Sequence, residues 1–375
     1  MDTVALSSSP QQRQALASVH DWLDSGTNRK PYFRLFGYAG TGKTTLARHL
    51  AATIDGHVAY AAYSGKAALM MRKSGCEGAS TIHKLIYWVE QLPGGGSKFV
   101  LNPRGAASKA SLVVIDECSM VDDAIARDLM SFGKPLLILG DPAQLPPVRG
   151  SGYFTSGEPD VLLTEIHRQA RGSGIIEVSM AIRNGKLLPK TIFDDVTMIV
   201  SDDGFEKALL AADQVIAGKN QTVNDLNRGI RAMKGFSGPI PNVGEKLICC
   251  RNDAHYELLN GEQVVVVGVG ETSDDPDTCW LTVRSLDVTD GREFDVEVLV
   301  SALEDGPSAD ELYWCCENSV VALRFGYAIT AHKAQGSQWP HVLVFDESST
   351  FRDSQSKWLY TTATRASEHL SIFSA

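Results

Sequence analysis

The chain of 375 residues is short of several features, and each gap excludes a class. No apolar run approaches the roughly 18–20 residues of a membrane span, which excludes a protein built on transmembrane helices. The opening residues Met1-Asp2-Thr3-Val4-Ala5-Leu6-Ser7 lack the basic-then-apolar pattern of a secretory leader. The expectation is an intracellular, cytoplasmic protein. Cysteine is sparse and odd in number, at Cys76, Cys118, Cys249, Cys250, Cys279, Cys315 and Cys316. No C-x-x-C spacing occurs, so neither a zinc cluster nor a disulfide framework is expected, and all seven read as reduced structural thiols. No internal repeat and no long low-complexity linker is visible, which excludes a solenoid.

Excess positive charge is also missing. The net charge of −10 argues at first against a nucleic-acid partner. Its distribution says more. Residues 1–115 carry 13 Lys and Arg against 6 Asp and Glu, whereas residues 190–315 carry 10 against 24. A basic first third and an acidic later segment are hidden in the average, and local field decides where a phosphate backbone can lie.

What is present is ordinary core and a regular rhythm. Hydrophobic residues make up 43% and charged residues 21%, enough core for two or three domains at this length. Short apolar runs at 58–62, 112–115, 135–139, 214–217, 342–345 and 370–373 read as strands covered on both faces. Helical patterns at 65–73, 175–184, 222–233 and 356–366 lie between them, so the expected fold class is α/β with parallel sheets. Two stretches break the rhythm. Residues 88–109, with Pro93-Gly94-Gly95-Gly96, read as a small hairpin-like excursion with one apolar tip, Phe99-Val100-Leu101. Residues 238–309 hold four β-rich runs separated by turns such as Asn260-Gly261, which suggests a small inserted barrel.

Residues 37–44, Gly-Tyr-Ala-Gly-Thr-Gly-Lys-Thr, match the phosphate-binding P-loop pattern in full. Gly37, Gly40 and Gly42 let the backbone curl and turn its N–H groups inward. Lys43 brings a point charge to the β- and γ-phosphates, and the Thr44 hydroxyl can ligate Mg²⁺. An apolar run precedes the loop and a helical one follows, so the loop opens on a helix N-terminus.

Further carboxylates and amides complete a catalytic set. Val113-Val114-Ile115 runs into Asp116-Glu117, where a strand end lines a nucleotide crevice. Asp116 would hold Mg²⁺ and Glu117 would take a proton from the attacking water. Gln144, at the end of a third strand, can bond both that water and the γ-phosphate. A positioned arginine is worth roughly 10³–10⁵ in rate for phosphoryl transfer. Arg168 and Arg365 are the candidates, although on residue type alone each is more often a surface arginine.

In order, Gly37–Thr45, Ala62–Ala68, Ser80–His83, Ile115–Ser119, Gly140–Val148, Ile166–Gln169, Ile329–Ser337 and Tyr360–Ala366 resemble the superfamily-one helicases. The resemblance is greatest to the Dda-like and RecD-like branch, which moves 5′ to 3′ on single-stranded DNA, and it covers residues 5–375. It implies two RecA-like domains with ATP and Mg²⁺ between them. The first would span 1–185, with a strand-separating insert at 88–109. The second would comprise 186–237 and 315–375, with an SH3-like insert at 238–314. Gln12, or Gln11 in an alternative register, would read adenine. Thr41, Thr45 and Gly336 join Gly37, Gly40, Gly42, Lys43 and Thr44 around the nucleotide. Ser64, Lys66, His83, Asn224, Thr330, His332, Lys333 and Ser337 would face DNA, with Asn227 and Arg231 on the same helix as Asn224. Phe99 would be the wedge at the fork, or it merely packs the insert. Ser64-Gly65 stands where Dda-like members carry Thr-His, and is nearer RecD.

The implied partners are single-stranded and forked duplex DNA, with single-strand-binding, replication or recombination proteins as candidate protein partners, and the chain is expected to act as a monomer away from membranes. Three alternatives stay open: a 3′ to 5′ helicase of the same superfamily, a DNA-stimulated ATPase that loads or anneals without unwinding, and a small-molecule kinase. The kinase leaves Gln144, Arg168 and Arg365 unexplained together.

Overall fold

Runs of Val, Ile and Leu build two separate parallel sheets in the computed structural model, which describes residues 9–26, 29–91, 97–146, 152–165, 173–186, 193–199, 202–253, 255–272, 277–287 and 291–374. The chain divides into two compact units, Met1–Gly172 and Ser173–Ala375.

In the first unit, helix α1 (Pro10–Asp24) begins in a reciprocal cap: Gln12 N donates to Ser9 Oγ and Ser9 N donates to Gln12 Oε1. There follow β1 (Tyr32–Gly37), α2 (Lys43–Ala51), β2 (Val58–Ala62), α3 (Gly65–Lys73), β3 (Ser80–Thr81) and α4 (Ile82–Ile86). A hairpin of β4 (Tyr87–Gln91) and β5 (Ser97–Leu101) comes next, then β6 (Leu112–Asp116), α5 (Asp123–Ser131), β7 (Leu136–Gly140) and β8 (Val161–Leu163). Six of these strands form a parallel sheet in the order β3-β2-β6-β7-β1-β8. Alternation splits β6 between two cores, with Val114 packing on the side of Leu35 and Leu46, and Val113 and Ile115 on the side of Phe36 and Ile138. Register does the rest. Phe36 lies beside Gly140 and Ile115 beside Ile138, so the C-terminal ends of β1, β6 and β7 share one edge.

The second unit contains α6 (Gly174–Arg183), β9 (Val196–Ile199), α7 (Asp202–Ala211), β10 (Gln214–Ala217) and α8 (Asn220–Met233). Then come β11 (Lys246–Cys249), β12 (Gln263–Thr272), β13 (Thr278–Ser285), β14 (Glu293–Leu299), α9 (Ala302–Asp305), α10 (Ala309–Glu317) and β15 (Leu323–Phe325). The chain closes with β16 (Ala328–Thr330), α11 (Ala331–Ala334), β17 (Trp339–Phe345), α12 (Gln355–Ala363) and β18 (Ala366–Phe373). The parallel sheet runs β16-β10-β17-β18-β9, and a second, antiparallel sheet runs β14-β13-β12-β11-β15.

Two boundaries differ from the spacing of the sequence. The contact division falls at Gly172 instead of 185, because α6 packs on α12 of the second unit. The β-rich module also reaches past 314, since β15 pairs with β11 through Leu247↔Phe325. A lone parallel bridge, Val298↔Val321, links β14 to the residues before β15. All seven cysteines are free thiols; Cys249 ends β11 and is buried, and Cys250, just past the strand, is half-buried. Among the described residues no helix is long and apolar enough to cross a membrane.

Candidate active site

The phosphate loop leaves β1 at Gly37 and enters α2 at Lys43. Gly42 caps α2 in the left-handed region (φ 78°, ψ 27°) and, being glycine, offers no side-chain cap to the first-turn N–H groups. A Cβ at Gly37 would lie 2.6 Å from Thr41 Oγ1 and 2.9 Å from Leu163 Cβ, so only glycine fits there. Lys43 Nζ donates to the carbonyls of Gly37 (2.6 Å) and Tyr38 (3.1 Å). Thr44 Oγ1 donates to Asp116 Oδ2 at 2.8 Å. Thr45 lies in the same first turn, and Gly40, like Gly42, has positive φ.

Asp116 ends β6, and its Oδ1 accepts from Glu117 N at 2.8 Å. Glu117 itself is held in a left-handed conformation (φ 52°, ψ 49°), which turns the chain sharply behind the strand. Burial pushes the neighbouring Cys118 thiol well above its usual range, Glu117 and Asp116 push it further, and Lys43 opposes them, so all three charges act on one spot. Gln144 is buried, and its Oε1 has no hydrogen-bond partner among the described residues. A glycine at the helix start, an ammonium that donates to two main-chain carbonyls and a buried amide oxygen with no partner among the described residues suit an anionic ligand with a cation. Thr44 and Asp116 are the oxygen donors placed to hold that cation.

Two expectations for the first unit take a different form. Gln12 is buried, its Oε1 is tied into the cap, and its Nε2 donates to Thr41 O at 3.0 Å. Gln11 instead holds the end of β8, donating to Leu162 O and Thr164 Oγ1 and accepting from Thr164 N and Glu165 N. Both amides therefore brace the loop's surroundings. Arg168 lies outside the described residues.

In the second unit, Thr330 ends β16 and caps α11, with Lys333 N donating to its Oγ1 at 3.4 Å. Lys333 Nζ reaches Cys250 Sγ at 3.6 Å. Burial lowers the pKa of His332, whose ring lies 6.4 Å from Phe351. Gly336 turns the chain with φ 73°, and Ser337 follows it, buried. Arg365 is also buried. It donates from Nε to Thr361 O (3.0 Å), from Nη1 to Ser337 O (3.1 Å) and from Nη2 to Thr364 Oγ1 (3.1 Å).

Residues 8–199 match the family model described as an AAA domain, and residues 325–373 match the one described as a UvrD-like helicase C-terminal domain. The chain belongs to the superfamily 1 helicases. It is 27% identical to the ATP-dependent RecD2 DNA helicase of Deinococcus radiodurans over 91% of its own length, and it spans only 46% of that protein. Among solved structures it resembles Bacteroides Pif1 bound to single-stranded DNA, with 19% identity, a TM-score of 0.61 and coverage of 97% and 91% of the two chains. Pif1 helicase from Candida albicans gives 19% identity, a TM-score of 0.57 and coverage of 98% and 94%. These likenesses show the fold, in which both parallel sheets are RecA-like.

The residues that the resemblance implies would face DNA divide into two groups. Ser64 caps α3, its Oγ accepting from Ala67 N. His83, with its pKa lowered by burial, packs with Tyr63, Tyr87 and Phe99 at ring separations of 6.2, 5.5 and 4.8 Å. Phe99 in β5 is 60% exposed and pairs with Val89 across the hairpin in β4. The other group turns inward. Lys66 is buried. Asn224 is buried between Arg324 and Asp305. Asn227 exchanges two hydrogen bonds with the Ala328 backbone. Arg231 forms a buried two-point pair with Glu245 (2.7 and 3.0 Å) over the Phe325 ring. One face of α8 is therefore an internal polar seam and not an open surface.

Glu347 escaped the sequence reading. It accepts from the backbone N–H groups of Gly218 and Lys219 and from Thr222 Oγ1, anchoring the start of α8. Burial would raise its pKa, but these hydrogen bonds and the Lys219 charge outweigh burial and hold it low. Its only sequence signal is an acidic residue just past a strand end.

Proposed function

We propose that this helicase hydrolyses ATP to move 5′ to 3′ along single-stranded DNA and to part the duplex ahead. The observation that carries the reading is the 2.8 Å bond between Thr44 and Asp116, which joins the phosphate loop to the strand-end carboxylate. Lys43 and the N–H groups of the loop bind the triphosphate. Thr44 and Asp116 would hold Mg²⁺, which would supply neutralising charge at the phosphate oxygens. Glu117 accepts a proton from the attacking water, and the buried Gln144 amide orients that water. Arg365 stabilises the charge that develops on the γ-phosphoryl oxygens, and Arg168 is assigned the same task. Ser64, His83, Thr330, His332, Lys333 and Ser337 are the proposed DNA-facing set, with Phe99 at the fork. The β11–β15 module is read as an SH3-like barrel closed through the Val298–Val321 bridge.

ATP hydrolysis with and without single-stranded DNA, beside strand displacement on 5′- and 3′-tailed duplexes, tests this. Stimulated hydrolysis with displacement only from 5′ tails is expected. Displacement from 3′ tails would reverse the polarity, and stimulation without displacement would leave a loader-type ATPase.

A further inference from the structure

The C-terminal end of α12 buries the polar side chains of Thr361 and Thr362, and the residues that follow it, Thr364 and Arg365, are buried too. Buried polar atoms are tolerated when they are partnered. A guanidinium carries five N–H donors. Three of those on Arg365 are engaged, one on each nitrogen, by Thr361 O, Thr364 Oγ1 and Ser337 O. Among the described residues one N–H on each terminal nitrogen is left over, and a guanidinium N–H is a charge-assisted donor to phosphate oxygen.

Thr364 is the one side chain among those three partners. Its single hydroxyl proton is directed at the carbonyls of Tyr360 (2.9 Å) and Thr361 (3.1 Å). The oxygen must then present a lone pair to Arg365 Nη2, so the hydroxyl can only accept from the guanidinium. The other two partners are main-chain carbonyls that no substitution removes. We propose that Thr364 is a positioning residue that orients Arg365 for the γ-phosphate. The proposal rests on the reading above that Arg365 acts on that phosphate.

The test measures kcat and KM for ATP, with saturating single-stranded DNA, for the wild type and for Thr364→Val, Thr364→Ser and Arg365→Ala, together with melting temperatures. Thr364→Val keeps the shape and removes the acceptor. It is expected to lower kcat about tenfold, the worth of one hydrogen bond to a charged group, with KM and melting temperature close to wild type. Thr364→Ser restores the acceptor and is expected to recover most of kcat. Wild-type kcat in Thr364→Val beside a large loss in Arg365→Ala would overturn the positioning role alone. An equal loss in Thr364→Ser, or a loss matched by a lower melting temperature, would mark Thr364 as a packing residue and overturn it as well. Wild-type kcat in Arg365→Ala would remove the role of Arg365 itself.

Discussion

Gln12 donates to the carbonyl of Thr41 at 3.0 Å while its own oxygen closes the cap of the first helix, so one side chain ties the helix start to the phosphate loop. Gln12→Ala breaks both connections. A loss of about 1 kcal/mol in urea unfolding is expected from the cap, with a several-fold rise in KM for ATP. Gln11→Ala, which loosens only the end of β8, should leave KM nearer wild type. An unaltered KM in Gln12→Ala would show that the loop holds its shape unaided.

Binding and chemistry should separate at two residues. Lys43→Ala removes the ammonium beside Gly37 and Tyr38 and should abolish ATP binding in a fluorescent-nucleotide titration. Glu117→Gln keeps the shape but not the base. Nucleotide affinity should persist while kcat falls by about 10²–10⁴. Full hydrolysis by Glu117→Gln would exclude it as the base.

Phe99 offers 60% of its surface to solvent from the middle of β5, supported by the His83 ring. Phe99→Ala should slow strand displacement while translocation along single strands continues. Trp88 is also more than half exposed, but its alternate position in β4 turns it to the other hairpin face, so Trp88→Ala serves as the comparison. Equal displacement rates in Phe99→Ala and wild type would remove the wedge.

The pair of Arg231 and Glu245 is buried on both sides. Arg231→Ala leaves a carboxylate without its charge partner and should destabilise the second unit by about 3–5 kcal/mol in chemical unfolding. The double substitution Arg231→Met with Glu245→Leu should regain most of that loss. If the double variant is no better than the single one, the seam depends on the charges themselves.

Acid should weaken the fold in two stages. Burial lowers the pKa values of His83 and His332 from 6.5, so below that pH the unfolded chain binds protons that the native state refuses. Stability therefore falls as pH drops below 6.5 toward the lowered native values. Glu347 is held below 4.5, so its contribution is present above that pH and is lost as the solution becomes more acidic. Melting temperatures from pH 8 into the strongly acid range check both stages, and His332→Gln should flatten the upper one.

Much of the architecture was legible because parallel strands buried on both faces must be short, apolar and separated by helices. The runs at Val58–Ala62 and Gln214–Ala217 occur as strands at those limits. The phosphate loop was equally legible, since glycine, lysine and threonine at fixed spacing answer a local geometric demand. The hairpin was visible too, although Phe99 lies within a strand and not at the turn.

The sequence by itself determined where the phosphate loop, the strand-end carboxylates and the β-rich module fall, because each depends on neighbours in the chain. Only the tertiary structure decided which polar side chains stay in reach of a ligand. The stripe of Asn224, Asn227 and Arg231 has helical spacing that suits a DNA-facing surface as well as an internal seam. It is a seam because Asp305, Arg324 and Ala328, about a hundred residues away for Asn224 and Asn227, together with Glu245, close over it. Helical periodicity shows which residues share a face, but the burial of that face depends on chain segments far away in sequence.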